Sequence, residues 1–435
     1  MGVFFGTDGV RGVVNNDLTE ELAQMVGNAL ARAKKKAKII VGRDTRVSGS
    51  YLTAAFSTGA LKGGASVLDV GIVPTACISY LVKHKKADYG VVISASHNPK
   101  EYNGIKIFDG EGRKISEKQE SALERYFACP MIVASTKVGK YKFSPSAANA
   151  YVKFLLGSVK TDLTGLKIVL DCANGAAYKI APQIFSKLGG KVVKTNCQSS
   201  GKKINEKCGS TCIGGLKEKV VKEGADVGFA YDGDSDRVLA VDEQGNVLDG
   251  DQLIYILAKH FSKQGTLNAG TVVGTSHTNT GLLIALNRNK INLVRTDIGD
   301  KYVIEAMQKM NLTLGGEQSG HIIMRNFLPT GDGILASLQV ASILKSSGVK
   351  MSALCDAKLL YQANKSVIVG DKLKVLNNEK LSQKISQILN EIAPAGRLLV
   401  RASGTEPKIR IMVEHQDKNK ADEYLNEIEK IITSI

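Results

Sequence analysis

Four short segments of the chain carry side chains of the types that bind metal ions, phosphates or sugar hydroxyls. The most distinctive is DVGFAYDGDSDRVLAV at 226–241, in which Asp232, Asp234 and Asp236 are spaced by two residues in one turn. Three carboxylates on a short loop suit Mg²⁺, which prefers oxygen ligands and keeps coordination positions open for water or phosphate. An EF-hand loop is disfavoured, because Arg237 stands where that loop requires glycine and because the flanks are strand-like. A structural acidic turn closed by Arg237 is the remaining alternative.

A serine at the end of an apolar strand is the candidate nucleophile. The strand leads into SASHNP at 94–99, a turn that presents the Ser96 hydroxyl. Serine is a weak nucleophile unless a base or a metal activates it. We expect the adjacent His97 to point away from Ser96, because neighbouring side chains of an extended chain face opposite sides. The motifs GxSxG, GxxxxGK[ST] and GxGxxG are absent, which disfavours hydrolase-elbow, P-loop and dinucleotide-binding sites.

The segment RASGTEPKIR at 401–410 has the composition of a phosphate-binding loop. It combines two arginines, two hydroxyl residues and a glycine, which are Arg401, Ser403, Gly404, Thr405 and Arg410. Guanidinium forks, hydroxyls and backbone N–H groups together hold a phosphate dianion. An ordinary hairpin turn with basic flanks is the alternative for this segment.

The segment GGEQSGH at 315–321 offers groups that hydrogen-bond sugar hydroxyls or move a proton. These groups are the side chains of Glu317, Ser319 and His321. Taken alone, this segment is compatible with an ordinary polar loop.

The elements that must position these segments follow an α/β rhythm. Apolar runs at 38–41, 166–170 and 271–273 each end in small or polar residues and precede helical periodicity. This pattern predicts three similar mixed α/β domains. The C-terminal segment has alternating strands near 398–400 and 409–413, followed by a helix, which predicts a smaller α+β domain. That helix should bury one face formed by Ala421, Leu425, Ile428 and Ile432. We predict domain spans of 1–150, 151–249, 250–365 and 366–435.

The composition is that of an ordinary folded protein. Hydrophobic residues make up 43% and charged residues 23% of the chain, and no stretch approaches the roughly 18 apolar residues of a membrane span. Seven scattered cysteines favour a reducing compartment, so we expect a cytoplasmic protein without a membrane partner. The net charge of +16 raises the alternative of a polyanion-binding module. Because the lysine excess is spread along the chain without a basic arm, we expect no nucleic-acid partner.

Considered together, the segments resemble the α-D-phosphohexomutase superfamily over essentially the whole chain. The motifs that carry the resemblance occur in the order FFGTDGVRG at 4–12, SASHNP at 94–99, DGDSDR at 232–237, GGEQSGH at 315–321, PTGDG at 329–333 and RASGTEP at 401–407. The resemblance implies three domains of one mixed α/β fold and a smaller C-terminal α+β domain around a central cleft. This expectation agrees with the domains inferred from the element pattern.

The resemblance also implies roles for individual residues. Ser96 would be carried as phosphoserine, and one Mg²⁺ per chain would be bound by Ser96, Asp232, Asp234 and Asp236. The remaining residues would serve transfer or substrate binding: Arg11, Lys106 and His321 in catalysis, and Arg237, Glu317, Ser319, Arg401, Ser403, Gly404, Thr405 and Arg410 in binding the sugar phosphate.

The implied reaction moves phosphate between the 6- and 1-hydroxyls of a hexose through a 1,6-bisphosphate, which also acts as an activator. The loop around Gln318 favours an amino sugar, glucosamine phosphate, as the substrate. For that substrate the resemblance implies a role in supplying UDP-N-acetylglucosamine and peptidoglycan precursors. Mannose or glucose phosphate is the alternative substrate. A metal-dependent phosphatase would use similar groups but would release inorganic phosphate. The resemblance is compatible with a homodimer.

Overall fold

The computed structural model of the chain describes residues 6, 9–127, 132–393, 396–403 and 407–435. The chain divides into two compact units. The first comprises Met1–His277 and Ile291–Cys355, and the second comprises Thr278–Lys290 and Asp356–Ile435. Within the described residues, no helix combines the length and the apolar character that crossing a membrane requires.

The first unit begins with a six-stranded sheet. Its strands β1 to β6 span Val10–Val13, Lys38–Arg43, Ser66–Ile72, Tyr89–Ile93, Tyr102–Phe108 and Tyr141–Phe143. Its helices α1 to α5 span Glu20–Ala33, Gly49–Lys62, Thr75–His84, Glu117–Glu124 and Asn149–Gly157, with a 3₁₀ turn at Pro145–Ala148. The strand order is β1-β5-β4-β2-β3-β6. Strands β2, β3, β4 and β6 run parallel, and β5 is antiparallel to both β4 and β1.

Helices α1 and α2 of this domain pack at very short range. A Cβ atom on Gly59 would lie 1.9 Å from the carbonyl oxygen of Gln24, and one on Gly27 would lie 2.1 Å from that of Phe56. Only glycine at these two positions allows the backbones to approach so closely. The close packing anchors α2, which begins just after the end of β2.

A second sheet follows, with the order β11-β10-β9-β7-β8. Its strands β7 to β11 span Lys167–Asp171, Lys191–Thr195, Val227–Tyr231, Val238–Asp242 and Val247–Leu248. Helices α6 and α7 span Ala177–Lys187 and Gly214–Glu223. Strand β7 is parallel to β8 and β9, whereas β9 and β10 form an antiparallel hairpin. The turn of this hairpin is the acidic segment.

The third sheet has the order β13-β12-β14-β15. Its strands β12 to β15 span Thr271–Thr275, Asn292–Thr296, Leu314–Gly316 and Ile322–Met324. Helices α8, α10, α11 and α12 span Gly250–Lys263, Asp300–Lys309, Gly333–Ser347 and Met351–Leu354, with a 3₁₀ turn at Asn268–Gly270. Helix α9, Thr280–Arg288, lies between β12 and β13 in the chain and belongs to the second unit.

The second unit is built on a three-stranded antiparallel sheet. Its strands β16 to β18 span Tyr361–Ile368, Arg397–Ala402 and Lys408–His415, in the order β16-β18-β17. Helices α13 to α15 span Lys372–Leu376, Glu379–Ile392 and Lys418–Thr433. The buried Glu414 carboxylate joins α9 to this sheet, because it accepts a hydrogen bond of 2.5 Å from the Thr280 hydroxyl and pairs with Arg397 at 3.0 Å.

The predicted fold class is confirmed. Three mixed sheets with flanking helices precede a smaller α+β domain, as the element pattern and the resemblance both indicate. The predicted face of the last helix is also confirmed, because all four of its residues, Ala421, Leu425, Ile428 and Ile432, are buried in α15.

Candidate active site

The Ser96 side chain lies at the carboxyl end of β4, buried against the acidic segment. Its hydroxyl donates a hydrogen bond of 2.5 Å to Asp232 Oδ2, although 136 residues separate the two in the chain. The backbone of Ser96 has φ +52°, in the left-handed region that few residues other than glycine adopt. The structure thus brings together Ser96 and the first of the three aspartates that are predicted to bind the metal with it.

The expectation that His97 points away from Ser96 is wrong. Its Nδ1 atom lies 3.4 Å from the Ser96 hydroxyl oxygen. The argument from alternating side chains assumed an extended backbone, and the left-handed conformation of Ser96 breaks that alternation.

The three aspartates of the β9–β10 turn form a compact buried group. One ligand atom from each of Asp232, Asp234 and Asp236 lies within 4.8 Å of the others. The Lys106 ammonium, brought in by β5, donates to Asp234 Oδ2 at 2.8 Å and to Asp236 Oδ2 at 3.0 Å. The Thr75 hydroxyl donates to Asp234 Oδ2 at 2.6 Å. The predicted residue Lys106 therefore belongs to the same cluster as the aspartates.

The donor set of this cluster fits a divalent cation. Asp234 Oδ1 and Asp236 Oδ1 are buried, and within the described part of the chain neither accepts a hydrogen bond. Burial, and then the negative charges of Asp236 and Asp234, raise the pKa of Asp232 well above its ordinary value. Buried oxygens that lack partners are costly, and a hard cation is the ligand that satisfies several carboxylates at once.

The positive charge of Lys106 lowers the pKa of Asp236 within this group. Burial alone would raise the pKa of Asp236. Lys106 and then His321 outweigh burial and hold the pKa of this carboxyl well below its usual range. Asp236 is therefore a carboxylate, while Asp232 is the member whose negative charge the fold penalises.

Arg11 and Arg237 lie within electrostatic reach of the Ser96 loop. Arg11 is in β1, directly opposite Gly104 of β5, and the Arg237 backbone N–H donates to Asp232 Oδ1 at 3.2 Å. Burial, followed by the charges of Arg237 and Arg11, lowers the pKa of His97 to about 4. The imidazole is consequently neutral at neutral pH, and the fixed positive charges that act on it come from Arg237 and Arg11.

The 317–321 loop packs against the start of β10, next to the acidic turn. The Val238 N–H donates to the Gly320 carbonyl at 3.0 Å. Gly320 has φ +90°, and a Cβ there would lie 2.2 Å from the Val238 carbonyl oxygen, so the position requires glycine. Ser319 is exposed, and Glu317 is half-buried with its Oε1 accepting from the Gly299 N–H at 3.2 Å. Burial is the main reason why the pKa of Glu317 is raised.

His321 is buried between two carboxylates. Its Nδ1 lies 3.8 Å from Asp236 Oδ2, and its Nε2 lies 3.6 Å from Asp300 Oδ2. Burial alone would lower the pKa of His321, but Asp236 and Asp300 outweigh burial and raise it. His321 is thus held where it can gain or lose a proton beside the cluster.

A cavity of about 230 Å³ opens beside Lys106 and His321. Its wall also includes Lys114 and Asp300, whose charged groups contact each other. These two residues were not predicted from the sequence, because single charged residues 186 positions apart carry no spacing signal. Asp44 and Arg46 were not predicted either, although their segment, GRDTRVSGS, follows one of the predicted strands.

The predicted phosphate loop lies in the second unit. Arg401 of β17 and Arg410 of β18 are direct cross-strand neighbours. The Ser403 N–H donates to the Lys408 carbonyl at 2.8 Å. Gly404 and Thr405 lie outside the described residues.

Comparison with known families covers most of the chain. Four phosphoglucomutase/phosphomannomutase domains match it in order: the alpha/beta/alpha domain I at 2–129, domain II at 149–245, domain III at 249–360 and the C-terminal domain at 365–431.

Full-length relatives and solved structures agree with this match. Proteins called phosphoglucosamine mutase from Clostridium kluyveri and Acetivibrio thermocellus are each 44% identical to the chain. Each alignment covers 99% of this chain and 99% of the relative. A phosphoglucomutase/phosphomannomutase family protein of Burkholderia thailandensis superposes with a TM-score of 0.84 at 22% identity, covering 99% of this chain and 97% of its own. An N-acetylphosphoglucosamine mutase of Aspergillus fumigatus, solved with GlcNAc-6P and magnesium, superposes with a TM-score of 0.69 at 18% identity. The superposition covers 98% of this chain and 95% of the fungal chain.

Proposed function

Because the chain belongs to the phosphoglucomutase/phosphomannomutase family, we propose that it interconverts glucosamine 6-phosphate and glucosamine 1-phosphate, the activity for which its full-length relatives are named. The observation that carries the proposal is the contact of the Ser96 hydroxyl with Asp232 at 2.5 Å. It sets a group that can carry phosphate against a buried carboxylate cluster suited to a divalent cation.

Transfer starts from Ser96 in its phosphoserine form. A hydroxyl of glucosamine 6-phosphate attacks the phosphorus, the bond between phosphorus and Ser96 Oγ breaks, and the hydroxyl proton passes to a base. The product is the 1,6-bisphosphate, which reorients in the site. Ser96 Oγ then attacks the phosphorus of the 6-phosphate, the bond between that phosphorus and O6 breaks, O6 takes up a proton, and glucosamine 1-phosphate leaves. A Mg²⁺ ion held by Asp232, Asp234 and Asp236 would supply charge stabilisation for the phosphoryl group.

The chain supplies further positive charge and a proton carrier. The Lys106 ammonium donates hydrogen bonds to two aspartates. The positive charges of Arg237 and Arg11 lower the pKa of His97, the residue next to Ser96. We assign these three cations to the transferring phosphoryl group, whose equatorial oxygens carry the developing charge. His321 lies 3.8 Å from Asp236, and we assign it the proton that the attacking hydroxyl gives up.

A second site must hold the phosphate that is not transferred. The cross-strand neighbours Arg401 and Arg410 place two guanidinium groups on one hairpin, and guanidinium groups suit a phosphate dianion. Lys372 adds a third cation to this loop, because its ammonium donates to the Ser403 carbonyl at 2.9 Å. We propose that these groups, with Ser403, bind phosphate by charge-assisted hydrogen bonds.

The sugar would be bound by Glu317, Ser319 and the loop around Gln318. The carboxylate of Glu317 suits the ammonium group of an amino sugar, which favours glucosamine phosphate over the neutral mannose and glucose phosphates. We place the reaction in the cytoplasm, where the free thiols of the described cysteines would stay reduced and the product would feed UDP-N-acetylglucosamine synthesis. A homodimer, if formed, is measurable by size-exclusion chromatography with light scattering.

The test is a coupled assay of glucosamine 6-phosphate conversion with Mg²⁺ and a trace of hexose 1,6-bisphosphate, with intact mass measured on the same sample. We expect turnover together with a phosphate-sized mass increment. Ser96→Ala should lose both, and Ser121→Ala, at an exposed position of α4, should keep both.

Three outcomes would change the assignment. Normal turnover by Ser96→Ala would contradict the phosphoserine mechanism. Faster turnover of mannose or glucose phosphate would retain the mechanism and change the substrate. Release of inorganic phosphate at the rate of isomerisation would indicate a phosphatase.

A further inference from the structure

A fully buried ion pair lies at the carboxyl end of β2, behind the Ser96 loop. Arg46 Nε lies 3.0 Å from Asp44 Oδ2, and both side chains are completely excluded from solvent. Removing two charges from water is expensive, and the pair's own attraction offsets that cost only when further hydrogen bonds complete the arrangement. The hydrogen-bond partners of Asp44 and Arg46 therefore indicate the role of the ion pair.

The rest of the Arg46 guanidinium binds the backbone of the Ser96 loop. It donates to the carbonyls of Ser96 at 3.0 Å, Asn98 at 2.7 Å and Tyr102 at 3.0 Å, and also to the carbonyl of Pro99. A guanidinium presents its donors in one rigid planar fork, so four carbonyls bound to it are fixed relative to one another. Lysine cannot reproduce this pattern with a single ammonium.

The Asp44 carboxylate fixes the other side of Ser96. The Ser94 hydroxyl donates to Asp44 Oδ2 at 2.6 Å, and the Ser96 N–H donates to that same Ser94 oxygen at 2.9 Å. Both backbone groups of Ser96 are thus tied to one ion pair, its carbonyl through Arg46 and its N–H through Ser94 and Asp44. These ties hold Ser96 in the left-handed conformation that directs its hydroxyl to Asp232.

A residue of the second domain joins the same carbonyls. Asn205 Nδ2 donates to the Ser96 carbonyl at 2.8 Å and to the Asn98 carbonyl at 3.1 Å. The Asn205 N–H in turn donates to the Ala173 carbonyl, just past the end of β7. This contact links the Ser96 loop to the domain that carries the aspartates.

We propose that Asp44 and Arg46 are positioning residues for phosphoryl transfer, with Asn205 as their counterpart in the second domain. The inference rests on the proposed role of Ser96 as the phosphate carrier. None of the three side chains needs to touch the sugar. They act by fixing the backbone on which the reacting oxygen is mounted, and a displacement of about 1 Å at a reacting atom costs on the order of 100-fold in rate.

The decisive variant is Arg46→Lys, which keeps the positive charge beside Asp44 but loses the fork. We expect kcat to fall by about 100-fold, while KM for glucosamine 6-phosphate stays within roughly threefold of the wild-type value. The matched control is Arg43→Lys, which alters a second arginine–aspartate pair nearby in the chain, formed between Arg43 at the end of β2 and Asp69 of β3 at 3.3 Å. Arg43 has no hydrogen bond to the Ser96 loop among those found for the described residues, so its variant should keep wild-type kcat and KM.

Asn205→Ala is the second variant and decides the matter if Arg46→Lys does not fold. It removes two hydrogen bonds to the loop and leaves the ion pair in place, so kcat should fall about tenfold with KM again little changed. Intact mass after prolonged incubation with hexose 1,6-bisphosphate should still reach one phosphate on each variant, because Ser96 itself is unchanged, but the rate of loading should fall together with kcat.

The outcomes separate this inference from the proposed function. Wild-type kcat in Arg46→Lys, or an equal loss in Arg43→Lys, would overturn the positioning role while leaving the function intact. A fall in kcat matched by an equal rise in KM would also overturn it, because that pattern indicates general damage to the site. Wild-type enzyme that turns over without phosphate on Ser96 would contradict the proposed function and, with it, the premise of the inference.

Discussion

The Ser96 region and the Arg401–Arg410 region use charge in different ways. Around Ser96 the charged groups are buried, and Lys106 contacts two carboxylates at 3.0 Å or less. Arg401 and Arg410 lie on a hairpin, where Arg401 is half-buried and Arg410 is exposed. The first region combines buried carboxylates with a buried ammonium, whereas the second has two guanidinium groups on neighbouring strands.

The difference matches two tasks in one reaction. A phosphoryl group in transfer needs preorganised charges, because groups that must rearrange during the reaction contribute less to the transition state. A phosphate that is only held needs attraction and some tolerance, since either end of a bisphosphate must fit. Variants in the first region should therefore act on kcat, and variants in the second on KM.

The largest effect is expected at the metal cluster. Asp234→Asn removes one negative charge but keeps an oxygen for Thr75 and Lys106, so we expect kcat to fall about 10³-fold. Isothermal titration with Mg²⁺ should show weakened binding by the same variant. Asp226→Asn, at an exposed aspartate of the same domain, serves as the control and should change neither quantity. Unaltered Mg²⁺ affinity in Asp234→Asn would argue against the cluster as the metal site.

An intermediate effect is expected in the second region. Arg410→Met removes a charged donor from the proposed phosphate site, and we expect KM for glucosamine 6-phosphate to rise about tenfold to a hundredfold with a smaller change in kcat. The control is Lys380→Met, at an exposed position of α14 in the same unit, which removes one positive charge as Arg410→Met does and should change neither KM nor kcat. If Arg410→Met lowered kcat and left KM unchanged, the division of labour between the two regions would be wrong.

The smallest effect is on stability and depends on pH. Asp332 caps α11 through the Leu335 N–H, and burial raises its pKa from 3.8 to about 6. A raised pKa means that the folded chain binds this proton more tightly than the unfolded chain. Protonated Asp332 therefore contributes to the free energy of unfolding fully below pH 4, and this contribution is lost as the pH rises through 6. The difference between the two pKa values corresponds to at most about 3 kcal/mol in the free energy of unfolding.

Asp332→Asn tests this directly, because the amide keeps a capping oxygen and cannot ionise. Urea unfolding at pH 4 and pH 7.5 should show the variant gaining stability relative to the wild type at the higher pH. The Tyr151 hydroxyl, which donates to Asp332 at 2.7 Å, will offset part of that gain if the amide nitrogen faces it. A variant that loses stability relative to the wild type as the pH rises would show that the carboxylate is compensated in the fold.

Local patterns in the sequence predicted most of the fold. The apolar face of α15 and the strands β17 and β18 follow from periodicity within short windows, and the structure confirms them. The three aspartates were also visible, because their spacing places them in one turn.

Features that depend on long-range contacts were not predicted. Arg46 reaches the Ser96 loop from about 50 positions away, and Lys114 meets Asp300 across 186 positions. Spacing along the chain does not encode such pairs. The error at His97 has a different origin, because one left-handed residue, Ser96, reversed the side-chain direction that an extended strand would give.

The most direct test of the central claim is a single turnover of isolated phosphoenzyme. Enzyme labelled with ³²P at Ser96 is freed of bisphosphate, mixed with glucosamine 6-phosphate and Mg²⁺, and quenched over time. We expect the label to appear in the sugar bisphosphate at a rate at least equal to kcat, while label in inorganic phosphate stays negligible. Label that remains on the enzyme during steady turnover, or that leaves as inorganic phosphate, would contradict Ser96 as the phosphate carrier of a mutase.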